Sequence, residues 1–372
     1  MKKALSIFLS IALCLFVFSG CGYEYQELDL VGTYDRSLAG TVLNVYNWGE
    51  YISDGSEGSI DVNKEFENLT GIKVNYSTYE SNETMYSQLT SGSVSYDIIL
   101  PSDYMIERLK DEGKLMKIDF SKVPNFKYIY DKYKGLFYDP NDEYSAAMNV
   151  GMVGIIYNKA LIGEPEHSWK ALWDPKYKDM SLNFSNPRDC FMTAQMILGA
   201  KSNSTNRLNS KNKQEWLEAY KLLKEGKQFL QSYVMDEIYG KMETGEAAIG
   251  PYYAGDYLTM LDVNEDLGFF YPEEGTNIFV DAICIPYCAK NYEAALMYIN
   301  FMLEPEIALA NANYIGYASP NMAVVENPDY DYYQDEILYP KEEDMPYVEY
   351  YHGMDTDIRL YYENLWLELK LY

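Results

Sequence analysis

Apolar positions along the chain recur at two spacings, that of strands and that of helices. Val42 to Tyr46 predicts a strand, and Val62, Phe66 and Leu69, four and three residues apart, predict a helix stopped by Gly71. Ile72 to Tyr76 predicts the next strand. Ser81 or Asn82 is placed to cap a further helix, and Tyr96 to Leu100 predicts a buried strand that ends at Pro101-Ser102-Asp103-Tyr104. Val150 to Asn158 and Phe279 to Pro286 are two more apolar strands. Trp216, Tyr220 and Leu223 share one helical face, as do Ala295, Ile299 and Met302 in a helix from about Tyr292 to Leu303, with Pro305 beyond its end. The tyrosine-rich, acidic tail from Pro328 to Tyr372 carries Leu360, Leu365, Trp366 and Leu369, which predict a final packed helix. Strands alternating with helices give an α/β architecture.

The N-terminus has a different pattern. Lys2 and Lys3 precede an apolar run from Ala4 to Phe18, closed by Ser19-Gly20-Cys21, the charged, hydrophobic and small-residue order of a secretory signal. The run is shorter than the roughly 20 residues of a spanning helix. The stretch resembles a bacterial lipobox with Phe18 where Leu is usual, which makes Cys21 the expected lipid-attachment residue and residues 1–20 a lipoprotein signal peptide. Residues 21–40, polar and carrying Glu24, Glu27 and Asp29, are expected to form a flexible tether.

Composition narrows the class. With 372 residues, 48% hydrophobic and 23% charged, the chain has the material for about two domains. Acids outnumber bases by 57 to 30. That field repels phosphate backbones, so a nucleic-acid partner is not expected. Of five cysteines, Cys14 falls in the signal and Cys21 at its end, leaving Cys190, Cys284 and Cys288, which form no disulfide or zinc framework. Two histidines, His167 and His352, are too few for most histidine-based metal sites or triads. No catalytic residue, metal site or cofactor is expected.

Candidate chemistry lies in aromatic and acidic residues at strand ends. Tyr46-Asn47-Trp48-Gly49-Glu50-Tyr51 is followed by Gly71-Ile72-Lys73-Val74 and by Tyr76-Ser77-Thr78-Tyr79-Glu80-Ser81-Asn82-Glu83-Thr84-Met85-Tyr86. Further on stand Val150 to Asn158, Ser168-Trp169-Lys170-Ala171-Leu172-Trp173-Asp174-Pro175 and Ile315-Gly316-Tyr317-Ala318-Ser319-Pro320-Asn321. The first three of these words resemble the spermidine/putrescine-binding receptors of bacterial ABC importers, the later ones resemble words of the wider extracellular solute-binding protein family, and the resemblance covers essentially all of the chain from about Thr41. The resemblance implies a two-lobed, type II periplasmic-binding-protein fold, each lobe a mixed sheet flanked by helices, with a ligand cleft between lobes. It divides the chain into a discontinuous N-terminal lobe, residues 41–148 and 278–317, and a C-terminal lobe, residues 149–277 and 318–372.

By position the resemblance carries ligand roles onto Trp48, Tyr51, Ser102, Tyr104, Asp189, Tyr253, Asp256, Phe279, Asp281 and Tyr317. Some positions depart from the family's usual residues: Gly49 replaces a hydrogen-bonding side chain, Tyr253 and Phe279 stand where Trp is frequent, and Asn186 falls where spermidine receptors carry an extra carboxylate. Asp256 resembles the putrescine-preferring branch. Carboxylates and aromatic faces suit a polyamine, whose ammonium ends need charged acceptors and whose methylenes need apolar cover, with cation–π attraction of roughly 0.5–2 kcal/mol per ring. The implied function is capture of putrescine or spermidine by a monomeric, membrane-anchored receptor at the outer face of the cytoplasmic membrane. Delivery would be to ABC permease subunits with a separate cytoplasmic ATPase. A receptor for a sugar or compatible solute is the rival within the class, and a hydrolase using Asp189 and Asp281 the rival outside it.

Overall fold

A computed structural model describes residues 25–371. The expected lipid-attachment residue Cys21 and the signal segment lie outside the described residues. Strand and helix alternate through the first part as the spacing predicts: strand Val42–Trp48, helix Val62–Thr70, strand Lys73–Tyr79, helix Asn82–Ser91, strand Ile98–Ile99 and helix Asp103–Asp111. Gly71 ends its helix in the left-handed conformation, and Ser81 caps the next by accepting the Thr84 N–H.

Two long strands organise the rest. Ser145–Asn158 is buried along its whole length, as is nearly all of the return strand Thr276–Pro286. They pair antiparallel from Ile278 opposite Met152 to Cys284 opposite Ser145. Through Ile98–Ile99 the return strand joins the parallel pair Val42–Trp48 and Lys73–Tyr79. The far half of Ser145–Asn158 instead pairs with Ile249–Tyr253 and Leu267–Phe270. Ile249–Tyr253 leads on to Ser181–Phe184 and Leu230–Val234. Each long strand therefore belongs to the sheet of one lobe at one end and runs toward the other lobe, and a third link forms where Ala318 bridges to Val150. The result is a two-lobed α/β fold in which strand ends from both sheets face a common cleft.

Packing fixes the cleft wall. Gly151 lies opposite Phe279, whose ring occupies the space of the missing side chain: a Cβ on Gly151 would lie 2.3 Å from it. Gly255 does the same for Tyr317, at 2.4 Å. At both places glycine lets an aromatic ring approach the backbone closely.

Two expectations are corrected. Gln26 to Arg36, expected as part of a free tether, is docked on the first lobe. The carboxylate of Glu304, fully buried, accepts from the Val31 N–H (2.9 Å), the Gly32 N–H (2.7 Å), the Tyr34 hydroxyl (2.7 Å) and the Asn125 amide (2.8 Å). Tyr34 also meets Phe301 edge-on at 5.5 Å. The backbone donors of this segment are served by acids of the first lobe, Glu304 for Val31 and Gly32, Glu65 for Gln26 and Glu306 for Asp29. In the final helix, Thr356–Leu371, Leu365, Trp366 and Leu369 are buried, but Leu360 is 50% exposed, because it lies off the stripe that faces the helix Lys213–Gly226.

Glu304→Ala should leave these four donors without their acceptor. We expect a loss of about 3 kcal/mol in denaturant unfolding, within the range for buried donors left unsatisfied, and protease cleavage between residues 26 and 36 in otherwise folded protein. Unchanged stability would contradict the docking of this segment.

Candidate functional site

A cavity of about 120 Å³ lies between the lobes, and all ten candidate residues line it. Trp48 and Tyr79 face each other in register at the ends of their parallel strands, and both donate to the Leu100 carbonyl, at 2.8 and 2.7 Å. Their rings meet at 4.6 Å. Beyond Leu100 the chain turns at Ser102 into the helix Asp103–Asp111. Ser102 makes no capping bond and instead accepts from the Asn82 amide at 3.0 Å, while Tyr104 donates to Glu83 at 3.0 Å.

Asp281 sits where the register between the long strands shifts, with Met148 as the extra residue: Asp281 faces Asn149 and Ala282 faces Ala147. Such bulges re-aim a side chain without ending the ladder. On its other side Asp281 bridges to Ser102. Tyr51 donates to its Oδ2 at 2.5 Å, and Oδ1 has no hydrogen-bond partner although the residue is 3% exposed.

Asp189 and Asp256 each stand in the first turn of a helix, where a carboxylate meets the positive end of the dipole. Asp189 Oδ2 accepts from Tyr253 (2.8 Å) and from the capping Asn186 (2.7 Å), and its Oδ1 accepts from Tyr351 (3.0 Å). Asp256 accepts from Tyr239 and, at 2.5 Å, from Tyr317. Between these acids runs an aromatic wall: Tyr253 meets Phe279 edge-on at 5.4 Å, Phe279 lies 6.3 Å from Tyr317, and Tyr317 meets Tyr51 at 5.2 Å.

Burial pushes the carboxyls of Asp281 and Asp256 up to about 6, against the lowering effect of Ser102 and Tyr51 beside Asp281 and of Tyr239 and Tyr317 beside Asp256. It also raises Glu83 and drives the hydroxyls of Tyr51, Tyr104, Tyr253, Tyr317 and Tyr351 well above the usual phenol range, so these tyrosines act as donors throughout the physiological range. The acids are therefore hydrogen-bonded by neutral groups that do not cancel their charge. A cationic ligand with several N–H donors and an apolar middle matches this surface. No cluster of metal-ligating side chains occurs among the described residues.

Glu83, Arg188, Tyr351 and Tyr79 also line the cavity without having been singled out for it. Glu83 reads in sequence as an ordinary first-turn acid behind the Ser81 cap, and Arg188 as part of the helix start Asn186-Pro187. Tyr351 lies in the tyrosine-rich tail, 162 residues from the Asp189 it donates to, with no local signal. Trp169 is a core residue, fully buried with its indole N–H on the Gly275 carbonyl.

The two lobes and the acidic, aromatic-walled cleft between them define a solute-binding protein. The chain belongs to the bacterial extracellular solute-binding protein family, whose model matches residues 62–339. It is 34% identical over 331 residues to the spermidine/putrescine-binding periplasmic protein of Salmonella typhimurium, covering 88% of this chain and 91% of that one. A putrescine-binding periplasmic protein of Pseudomonas aeruginosa is 28% identical, with 82% and 85% covered. Among solved structures, the spermidine/putrescine ABC transporter substrate-binding protein of Streptococcus pneumoniae superposes with a TM-score of 0.74 at 34% identity, covering 89% of this chain and 99% of that one. A GABA receptor shares the fold at a TM-score of 0.64 and 16% identity, covering 89% and 97%, so the fold by itself does not select a ligand.

Asp281→Asn tests the electrostatic cost of the cleft. A carboxyl raised from 3.8 to about 6 on folding binds its proton more tightly in the native state. The stability it contributes is complete below about 3.8 and lost as pH rises through about 6. Ligand-free Asp281→Asn should therefore be more stable than wild type at pH 8, by roughly 1–3 kcal/mol, with the gain shrinking toward pH 4. Denaturant titration at several pH values measures it. A variant less stable at pH 8 would show that Asp281 is not strained by burial.

Proposed function

We propose that this chain captures a polyamine, putrescine or spermidine, in the interlobe cleft and delivers it to ABC permease subunits served by a separate ATPase. The observation that carries this reading is the free Oδ1 of buried Asp281, facing a cavity whose other acids are hydrogen-bonded only by neutral donors. An ammonium group supplies both the missing donor and the missing charge. The rings of Trp48, Tyr253, Phe279 and Tyr317 cover methylenes, with Asp189 and Asp256 as the further acceptors and Tyr51, Ser102 and Tyr104 orienting them. The names of the relatives support the same ligand class. Binding without turnover is the reading favoured over hydrolysis, since Asp189 and Asp281 are committed to tyrosine hydroxyls and the family binds solutes for transport.

In this reading the lobes comprise residues 41–148 with 278–317 and residues 149–277 with 318–372, closing about the crossing strands on a monomeric receptor. Lipidated Cys21 holds it at the outer face of the cytoplasmic membrane. Cys21→Ala should move the protein from the membrane to the soluble fraction, and full membrane retention at unaltered mass would refute the anchor.

Calorimetric titration with putrescine and spermidine, alongside mass spectrometry of ligand released from purified protein, tests the ligand. Wild type should bind at least one polyamine, and Asp281→Asn should lose about 2–5 kcal/mol, the cost of removing one partner of a buried charge pair. Affinity should fall as pH is lowered through about 6, where protons compete for Asp281 and Asp256. Wild-type affinity in Asp281→Asn, or no polyamine binding at all, would overturn the assignment.

A further inference from the structure

The cleft is electrically unequal at its two ends. At one end Arg188 lies buried, 4% exposed, within the cavity lining. Its guanidinium sits 4.2 Å over the ring of Tyr351 and 5.6 Å over that of Tyr104, the two tyrosines that donate to Asp189 and Glu83. Its hydrogen bond to Asn209 Oδ1 is long, 3.3 Å, and its Nε–H has no partner. The other arginines near carboxylates form ion pairs, as Arg108 does with Glu112 and Arg359 with Glu363, whereas Arg188 has no carboxylate at ion-pair distance among the described residues. A cation buried in this way inside a site for cations is costly unless its field has a use. It acts on Glu83 and Asp103 without touching them, so this end already holds a positive charge.

The other end has no such charge. Asp256, together with Gly49, Glu50 and Asp236, is shared between this cavity and a second, outer one of about 1030 Å³. That outer space is lined by Glu50, Asp236, Asp256, Asp262, Glu306 and Asp331 and, among the described residues, by no lysine, arginine or histidine. The wall of Tyr253, Phe279 and Tyr317 separates Asp189, beside Arg188, from Asp256 at the mouth.

We propose that Arg188 is a specificity-determining residue that closes the Asp189 end of the cleft to further positive charge, so that any ammonium beyond two is held toward the acidic mouth at Asp256. The inference rests on the polyamine reading above and adds a direction to it. A diamine places one ammonium near Asp189 and one near Asp281 and Asp256, and needs nothing beyond. A triamine carries a third charge, which the guanidinium repels and the mouth attracts. Arg188 thus sets the relative affinity for diamine and triamine rather than affinity as such.

The test is the ratio of putrescine to spermidine dissociation constants, measured by calorimetry at fixed low salt and pH 8. Arg188→Met should raise spermidine affinity relative to putrescine by about tenfold, the order of effect for one unit charge about 12 Å away in a medium of effective dielectric about 20. Arg188→Lys keeps the charge and should keep the wild-type ratio within about twofold, which separates the field from packing on Tyr351. Asp262→Asn combined with Asp331→Asn should weaken spermidine more than putrescine, by about threefold or more. An unchanged ratio in Arg188→Met, or equal losses for both ligands in the Met and Lys variants, would overturn the role of Arg188. An unchanged ratio in the double Asn variant would overturn the placement of the extra charge at the mouth. If wild type binds neither polyamine, the ligand reading itself fails, and this inference with it.

Discussion

A carboxylate held out of water with a free oxygen and no cation is the constraint on which the cleft depends. Asp281 is held between two strand contacts, Asn149 on one side and Ser102 on the other, and is buried, 3% exposed. Tyr51 satisfies one oxygen and leaves the other open. Removing a charge from water costs several kcal/mol even after relaxation, and a hydroxyl donor recovers only part of it. The ligand-free protein therefore carries a local penalty that a bound cation relieves. Part of the binding free energy is stored in the fold before the ligand arrives, in the form of a desolvated acid.

The fold makes this strain tolerable by spreading its supports across the whole chain. Asp281 belongs to the return strand, Tyr51 to the loop after the first strand, Tyr317 to the third link and Asp256 to a helix that follows a strand of the second lobe. The two long strands hold these parts in register over both sheets. Two ring positions depend on glycine, Phe279 against Gly151 and Tyr317 against Gly255, so the aromatic wall is set by backbone contact rather than by side-chain packing alone. Rings fixed in this way lose little further freedom when a flexible ligand is laid against them. The entropic cost of ordering is left to the ligand.

Much of this was legible in the chain because the informative residues lie at the ends of periodic segments. Val42 to Trp48 and Phe279 to Pro286 announce strands, and a loop aromatic or an acid one step beyond a strand end falls at the cleft by the geometry of open α/β sheets. Asp189 and Asp256 were reachable as first-turn acids once the resemblance marked their positions. What escaped did so for physical reasons. Glu83 and Arg188 look like ordinary helix-start residues, since the same local pattern serves capping and the site alike. Tyr351 reaches Asp189 through tertiary contact alone. The segment Gln26 to Arg36 reads as a tether because nothing in its composition tells that Glu65 and, far along the chain, Glu304 accept its backbone donors. Leu360 breaks the face expected of the last helix, where period alone does not say which leucine meets a neighbour.

The choice of tyrosine as the donor to these acids has a consequence for selectivity. A lysine or arginine bonded to Asp281 or Asp256 would satisfy the oxygens and cancel the charge together, leaving a site with no preference for a cation. A tyrosine hydroxyl bonds the oxygen, stays protonated because burial raises it far above its usual range, and leaves the negative charge in place. A neutral solute of similar shape, such as a sugar, could supply donors to the free oxygen but not the missing charge. It would have to leave Asp281 ionised in a dry site or take it up protonated. With the carboxyl at about 6, the second course grows costlier by about 1.4 kcal/mol for each pH unit above that value. Discrimination between a cation and its neutral analogue thus widens as the medium becomes more alkaline, with no contact in the cleft having changed.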